Sequence, residues 1–549
     1  MSRWAATSAI QIIETILVLA VCLWGIRASR SRARFAFPSW FAALARHKSL
    51  GALLAGVSVL LLRLALVPLL GVPAPEWHDE FSYLLAADTF AHGRLTNPAH
   101  PMWKHFETFH VIQYPTYMSM YPPAQGLVLA AGERLSSPWA GQLLMTAALC
   151  SALCWMLQGW FPPAWALLGT ILAVLRIGIL SYWINGYWSA SVVAFGGVLL
   201  LGAWGRLRHR LQAGNAATFA VGLLVLANSR PYEGLLVSLP FLVALARGML
   251  RLSQQKLGRV ALPIVILLLV GFGATGCFYS RVTGNPLRMT YQVNRTQYAM
   301  APYFLWQHLR AVPLYRHPVM RDFYEWEVEQ FRAYRSIAGF WRRTADKFWV
   351  AWSFYLGPLL TLPLLALPWI VRDRKLRLVL ISGGLLLAGV LVSTFFLPHY
   401  LAPGTGLLYL VLVQGMRHLS HWRWNERPVG RRLVLALPLI AAGMICVRLV
   451  LIAMHSPLEP RWPRGNLERA ALQKQLERLP RQQLVLVSYL PSHNPDHEWV
   501  YNLADIDSQK VVWARDMGPD NAELLHYYPG RQVWRLNPDR KPVELQRLQ

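Results

Sequence analysis

The sequence predicts an α-helical polytopic membrane protein of about twelve transmembrane helices, with a small C-terminal α/β soluble domain. Three observations carry that reading. The 549 residues are 55% hydrophobic and 12% aromatic. Their many apolar runs approach the ~20 residues that cross a hydrocarbon core of about 30 Å. The net charge is +27, which in a soluble protein would suggest nucleic acid. Here the basic residues cluster in short loops between apolar runs, the positive-inside pattern that orients helices, so nucleic acid is not expected as a partner. Residues 455–549, finally, lack long apolar runs and alternate helix-like with strand-like segments.

Taken in order, residues 7–26 are apolar with a lone Glu14, and Arg27 to Lys48 is basic without an acid. A signal peptide places its charge before the apolar core. A retained helix ending in the cytoplasm is therefore expected, and residues 1–49 form an N-terminal helix plus basic linker. Residues 50–72 run outward, which puts loop 73–137 on the outer face. The run from Tyr121-Pro122-Pro123 to Leu135 is too short to span and ends in Glu133-Arg134, so it reads as an interfacial helix. That choice puts the basic clusters at 206–210, 247–259, 372–377 and 417–432 all inside.

The remaining spans follow at 138–157, 163–181, 188–205, 215–229, 231–248, 260–279, 348–371, 377–397, 400–417 and 432–454. A second long outer loop covers 280–346, and the transmembrane domain covers 50–454. All five cysteines (Cys22, Cys150, Cys154, Cys277 and Cys446) lie in or beside apolar spans, leaving the polar loops without a disulfide framework. The tail, 455–549, has helical spacing from Asn466 to Leu479 and at Asp520 to Tyr528. Strand-like runs at Gln483 to Tyr489, Lys510 to Arg515 and Arg531 to Leu536 complete a compact α/β module with a parallel sheet. It has no Gly-rich phosphate loop.

Chemistry concentrates on the expected outer face. Asp79 and Glu80 are adjacent acids directly after an apolar span and before an amphipathic run, Phe81 to Leu95. The same loop holds His78, Asp88, Lys104, His105, Glu107 and Tyr121. One outer turn holds Arg230 and Glu233, and another holds His399 and Tyr400. The second long loop holds Arg281, Arg288, Tyr291, Asn294 and Arg295. A carboxylate with a pKa of about 4 is ionised at neutral pH and accepts a proton from a hydroxyl or amine. Arg, His and Tyr hold a phosphate leaving group and spread its charge.

In this layout the chain resembles the GT-C glycosyltransferases. The shared features are the Asp79-Glu80 pair opening the first outer loop, the amphipathic helix behind it, and the Pro122-Pro123 interfacial helix. Within that class it is similar to the protein mannosyltransferase and lipid A aminoarabinose transferase branch. The resemblance covers residues 50–420, with the first helix and the tail outside it. It implies a polyprenyl-phosphate sugar donor, inverting transfer, and a protein, lipid or glycan acceptor in contact with membrane lipid. It also implies a place in the cytoplasmic (inner) membrane, with the active site facing the periplasm or outside. Asp79 would be the catalytic base, supported by Glu80. His399-Tyr400-Leu401-Ala402-Pro403 resembles the family's late aromatic-Pro motif, facing the donor phosphate, with His where Arg is common.

The chain departs from the pattern at two places. Met120-Tyr121 precedes the Pro pair where a basic residue is usual, and Trp183 to Trp188 replaces a further acidic position. Arg230 and Glu233 are candidates to substitute, and Lys104 and Tyr121 complete the expected substrate-binding set. No cofactor is expected. Some GT-C enzymes use a divalent ion, for which Asp79 and Glu80 would be the ligands.

Each feature also has a structural reading. Acids at a helix start favour its dipole by about 0.3–1 kcal/mol. His399-Tyr400 suits an interfacial anchor, Arg230–Glu233 a local ion pair, and Arg63 either a polar cavity, a snorkelling position or a pair with Glu14. The competing functions are a lipid-linked glycan flippase or transporter and a non-catalytic glycolipid-binding scaffold.

Overall fold

The structure is a computed structural model that describes residues 3–27, 35–459 and 462–548. Seven of its helices are long and apolar enough to cross a membrane: Arg3–Arg27, Lys48–Ala65, Pro138–Gln158, Ala190–Leu207, Pro231–Met249, Gln254–Thr283 and Val429–Ala453. The expected span at 348–371 is instead a broken helix. Ile337–Tyr355 meets Gly357–Arg372 at 98°, and the two count as one further span at most. Gly357 turns the chain in the left-handed region (φ 59°), and Pro358 cannot donate to the preceding turn, so the helix stops there.

The other four expected spans are fifteen-residue helices, Pro163–Ile177, Ala213–Ala227, Arg377–Leu391 and Thr405–Leu419. At 1.5 Å per residue each is about 22 Å long, short of a hydrocarbon core. Among the described residues seven helices, or eight with the bent pair, are by themselves long enough to cross. The missing length has a common location. These helices give way to irregular backbone at 178–189, 228–230 and 392–404, where the polar groups described below gather. Non-helical backbone at such depth is tolerated only inside protein, and most of 178–189 is buried.

Loop 73–137 is ordered. It contains the helix His78–Ala91, a three-stranded antiparallel sheet with Thr116–Ser119 between Asn97–Pro98 and Val111–Ile112, and the helix Pro123–Leu135. The His78 helix is not the amphipathic surface element that the sequence suggests. Only Asp79, Leu84 and Phe90 escape full burial along it. One side packs on the Pro123 helix, where Gly126 lets Ala86 and Phe90 approach closely. The tail covers another side.

That tail is a four-stranded sheet in the order Val511–Arg515, Gln483–Val487, Gln532–Asn537, Glu544–Arg547. The first three strands are parallel and the last is an antiparallel edge that the sequence reading did not include. Phe81, Leu85 and Tyr117 of the first loop share one apolar core with Leu484, Leu486, Tyr501 and Val512 of the tail. Phe81 stacks on Tyr501 at 4.3 Å between centroids. Burying a large apolar side chain contributes roughly 1.5–3 kcal/mol, so loop and tail stabilise one another. Polar bonds fix the register: Ala504 N–H donates to Asp88 Oδ2 (2.7 Å), Tyr117 Oη to Asn502 O (2.9 Å), and Arg515 Nε to Glu107 O (2.6 Å).

Candidate active site

The two adjacent acids diverge. Glu80 turns back on the chain: its carboxylate accepts from the N–H groups of Glu76 (3.0 Å), Trp77 (3.2 Å) and Tyr187 (2.9 Å). The first two bonds satisfy donors that a helix start leaves open. The third ties the helix to the 178–189 segment, where a Cβ at Gly186 would come 2.7 Å from Glu80 Oε1. Burial pushes the Glu80 carboxyl up to about 7, with these N–H groups opposing. Its role is positional.

Asp79 faces the other way, into a ring of donors. His78 Nδ1 lies 2.9 Å from Oδ2 and His110 Nδ1 lies 3.5 Å from Oδ1. Tyr121 Oη donates to Oδ1 and sits 3.0 Å from His110 Nδ1. Burial opposes the Asp79 charge, but the His110 and His78 imidazoles outweigh it and hold the carboxyl well below the usual range. His78 is the more cationic imidazole. Burial opposes its charge, yet Asp79 and, from the tail, Asp496 at 3.8 Å from Nε2 raise it above its ordinary value. His110 is lowered by burial, with Asp79 opposing, and is neutral at pH 7.

Arg230 forms a second centre at the same end of the bundle. It opens the helix Pro231–Met249, pairs with Glu233 (3.2 Å) and lies 3.9 Å over the Tyr400 ring. Its Nε is buried without a hydrogen-bond partner. His399 is buried beside it, with Nδ1 3.1 Å from Tyr182 Oη and its ring 4.9 Å from that of Trp188. Burial, with Arg230 adding and Asp79 opposing, drives His399 well below its usual range, so it is a neutral imidazole. Tyr83 links the two centres. It stacks on Tyr121 at 4.4 Å, and burial raises its phenol with Arg230 opposing and Asp79 adding.

Of the residues singled out in the sequence, Asp79, Tyr121, Arg230, Glu233, His399 and Tyr400 thus share one neighbourhood. Lys104 does not join them through its ammonium: the side chain is exposed, and its backbone carbonyl accepts from His317 Nε2 (2.8 Å). Arg63 is fully buried, bonding Asn185 Oδ1 (2.6 Å) and Gly71 O (2.7 Å), which settles it as a brace of the 178–189 segment and not a partner of Glu14. Asn294 of the Asn-Arg-Thr sequon is also fully buried, donating to Val111 O at 3.1 Å. His110, Tyr83, Tyr182 and Asp496 escaped the sequence reading. Only Tyr83, one helical turn after Asp79, carried a spacing signal.

His78, Asp79 and His110 offer ligand atoms within 4.8 Å of one another, as do Asp88, His92 and Glu133. In the first trio both Nδ1 atoms lie beside the Asp79 carboxylate, to which the Tyr121 hydroxyl donates. Glu80 is committed to backbone N–H groups.

No protein-family model and no curated protein matches this sequence. Solved structures do. ArnT from Cupriavidus metallidurans bound to undecaprenyl phosphate superposes with a TM-score of 0.55 at 14% identity, over 88% of this chain and 92% of that one. Its apo structure gives 0.51 at 14% identity, over 88% and 93%. The fold is that of the GT-C membrane glycosyltransferases. A likeness over 88% of the chain exceeds what residues 50–420 can supply, so this GT-C likeness also takes in part of the N-terminal helix or the tail. Both had been expected to lie outside it.

Proposed function

We propose that the protein is an inverting glycosyltransferase that takes a sugar from a polyprenyl-phosphate donor and passes it to an acceptor at the non-cytoplasmic face of the inner membrane. One observation carries the reading. At one end of the bundle Asp79 accepts from Tyr121, on which Tyr83 stacks at 4.4 Å, and Arg230 lies 3.9 Å over the Tyr400 ring with its Nε buried and without a hydrogen-bond partner. Such a pair suits the two halves of the reaction. The anion drives proton removal from an acceptor hydroxyl or amine, and the cation receives the phosphate on which the donor leaves. Buried and neutral, His399 would meet that phosphate as a hydrogen-bond donor and not as a charge. The ArnT structure holds undecaprenyl phosphate, which supports a lipid of that chemistry as the donor's carrier. The acceptor is a protein, lipid or glycan, and the reaction as proposed uses no metal ion.

The test is sugar transfer in membranes supplied with radiolabelled undecaprenyl-phosphate sugars. Asp79→Asn keeps size and removes the charge. It is expected to lower transfer at least about a hundredfold at equal protein level, in line with the usual scale of acid–base catalysis. Equal transfer by variant and wild type would reduce Asp79 to a helix-start residue. Labelled lipid that binds without transfer would favour a transporter or scaffold.

A further inference from the structure

Lys347 is a buried lysine on the first half of the broken helix, and it donates to backbone carbonyls at the end of another helix. Resting on the reading of His399 and Tyr400 as contacts to the donor phosphate, we infer that Lys347 and Tyr355 are positioning residues for that contact. Together they hold the stretch 390–398 and so set the turn that presents both side chains.

The helix Ile337–Tyr355 turns Trp341, Phe348 and Trp349 outward and buries Gly339, Thr344, Lys347 and Tyr355. A charged side chain on the buried side of such a helix is costly without compensating bonds. Lys347 has three. Its Nζ donates to Val390 O (2.9 Å), Leu391 O (3.3 Å) and Ser393 O (2.5 Å), and lies 4.8 Å from the centre of the Tyr334 ring. Val390 and Leu391 close the helix Arg377–Leu391, and the last carbonyls of a helix have no partner within it. A cation also suits the negative end of a helix dipole. One ammonium thus fixes the point where that helix stops and the chain toward His399 begins.

Tyr355 fixes the other end. It lies about two turns beyond Lys347, roughly 12 Å along the helix axis. Its Oη donates to Pro398 O at 2.9 Å, immediately before His399. Between the two anchors the chain is tied to the second long loop. Thr394 N–H donates to Tyr303 O (2.8 Å), Thr394 Oγ1 to Pro302 O (2.8 Å), and Leu305 N–H to Val392 O (3.0 Å). The helix that carries both anchors is itself held near its carboxyl end, where Arg176 donates to Ser353 O (2.6 Å) and Phe354 O (2.9 Å). The stretch from Ser393 to Pro398 therefore runs between two fixed points on one helix. The turn Pro398–Gly404 follows directly, with His399 beside Tyr182 and the Tyr400 ring beneath Arg230. Lys347 and Tyr355 act on the donor through that turn and not by contact.

The probe is radiolabelled undecaprenyl phosphate, bound to the full chain purified in detergent, with melting temperature measured alongside. Lys347→Met keeps the length of the side chain and removes its three bonds, whereas Lys347→Arg keeps a cation with donors. Tyr355→Phe deletes one hydroxyl. Leu476→Ala, a truncation in an apolar core of the tail, lowers stability away from the turn. The inference expects Lys347→Met and Tyr355→Phe each to weaken binding about tenfold, the scale of a buried bond left unmade. Lys347→Arg should recover most of that loss. Leu476→Ala should bind as wild type does, at a lower melting temperature. If Lys347→Met does not fold, Tyr355→Phe decides by the same criterion. Binding by Tyr355→Phe and Lys347→Met within a few-fold of wild type overturns the inference, as does an equal loss in Leu476→Ala. Either result leaves the transferase reading intact where wild type transfers sugar. A wild type that binds the lipid, loses it in the two variants and transfers no sugar removes the transferase reading and supports the positioning role.

Discussion

Asp79 and Glu80 are neighbours in sequence and opposites in role. Glu80 is buried and committed to N–H groups of its own turn and of Tyr187, whereas Asp79 is partly exposed and lies beside two imidazoles and a phenol. The difference has a thermodynamic signature. Glu80 sits at about 7 when folded against an ordinary 4.5, so the folded chain holds a proton that the unfolded chain has released. Stability from this group is fully present below pH 4.5 and is lost as pH rises through about 7. Glu80→Gln removes the titration. Relative to wild type the variant should gain up to about 3 kcal/mol across that window, at about 1.4 kcal/mol per pKa unit. Melting curves from pH 4 to 8 check this, and parallel pH dependences for the two proteins would count against it.

At the scale of elements, the site is built where helices stop. The turn Pro398–Gly404 presents His399 and Tyr400, and it leans on the helix Ala190–Leu207 at Gly197. A Cβ at Gly197 would overlap the Pro403 carbonyl, a contact with backbone that no side-chain rotation relieves. Gly197→Ala should therefore displace the turn, lowering both the melting temperature and transfer. Gly383→Ala places its methyl in open space and should leave both unchanged. If Gly197→Ala matches wild type in both measurements, the turn is not held by this approach. The same logic accounts for the broken helix at Gly357: composition marked 348–371 as apolar, but left-handed backbone at one residue redirected the chain.

At the scale of the molecule, a parity choice made from basic loops agrees with contacts among distant segments. Loop 73–137, the segment 178–189, the turn at 228–234, loop 280–346, the turn at 397–403 and the tail were all assigned to one face. Asp79, Tyr182, Arg230, Tyr291, His399 and Asp496, one from each, lie in a chain of direct contacts or mutual electrostatic influence. The proposal that this face is the outer one predicts a labelling pattern. Cysteine placed at exposed Lys104 should react with a membrane-impermeant thiol reagent in spheroplasts, and cysteine at exposed His209 only after permeabilisation. The reverse pattern would put the site in the cytoplasm.

The apolar segments, the tail's order of its first three strands with the helices among them, and Asp79 as the residue to ask about were legible in the chain before folding. These follow from hydropathy, charge placement and periodicity, which are properties of short stretches. The tertiary structure alone decided that Glu80 braces while Asp79 faces the site, that Lys104 points away, and that the tail shares a core with the first loop. It also brought His110 and Asp496 to Asp79. His110 depends on a left-handed backbone held by Ser82 and Met120, and Asp496 depends on a domain docked more than four hundred residues downstream. Neither leaves a local pattern, because the forces that place them act between segments that are neighbours only once the chain has folded.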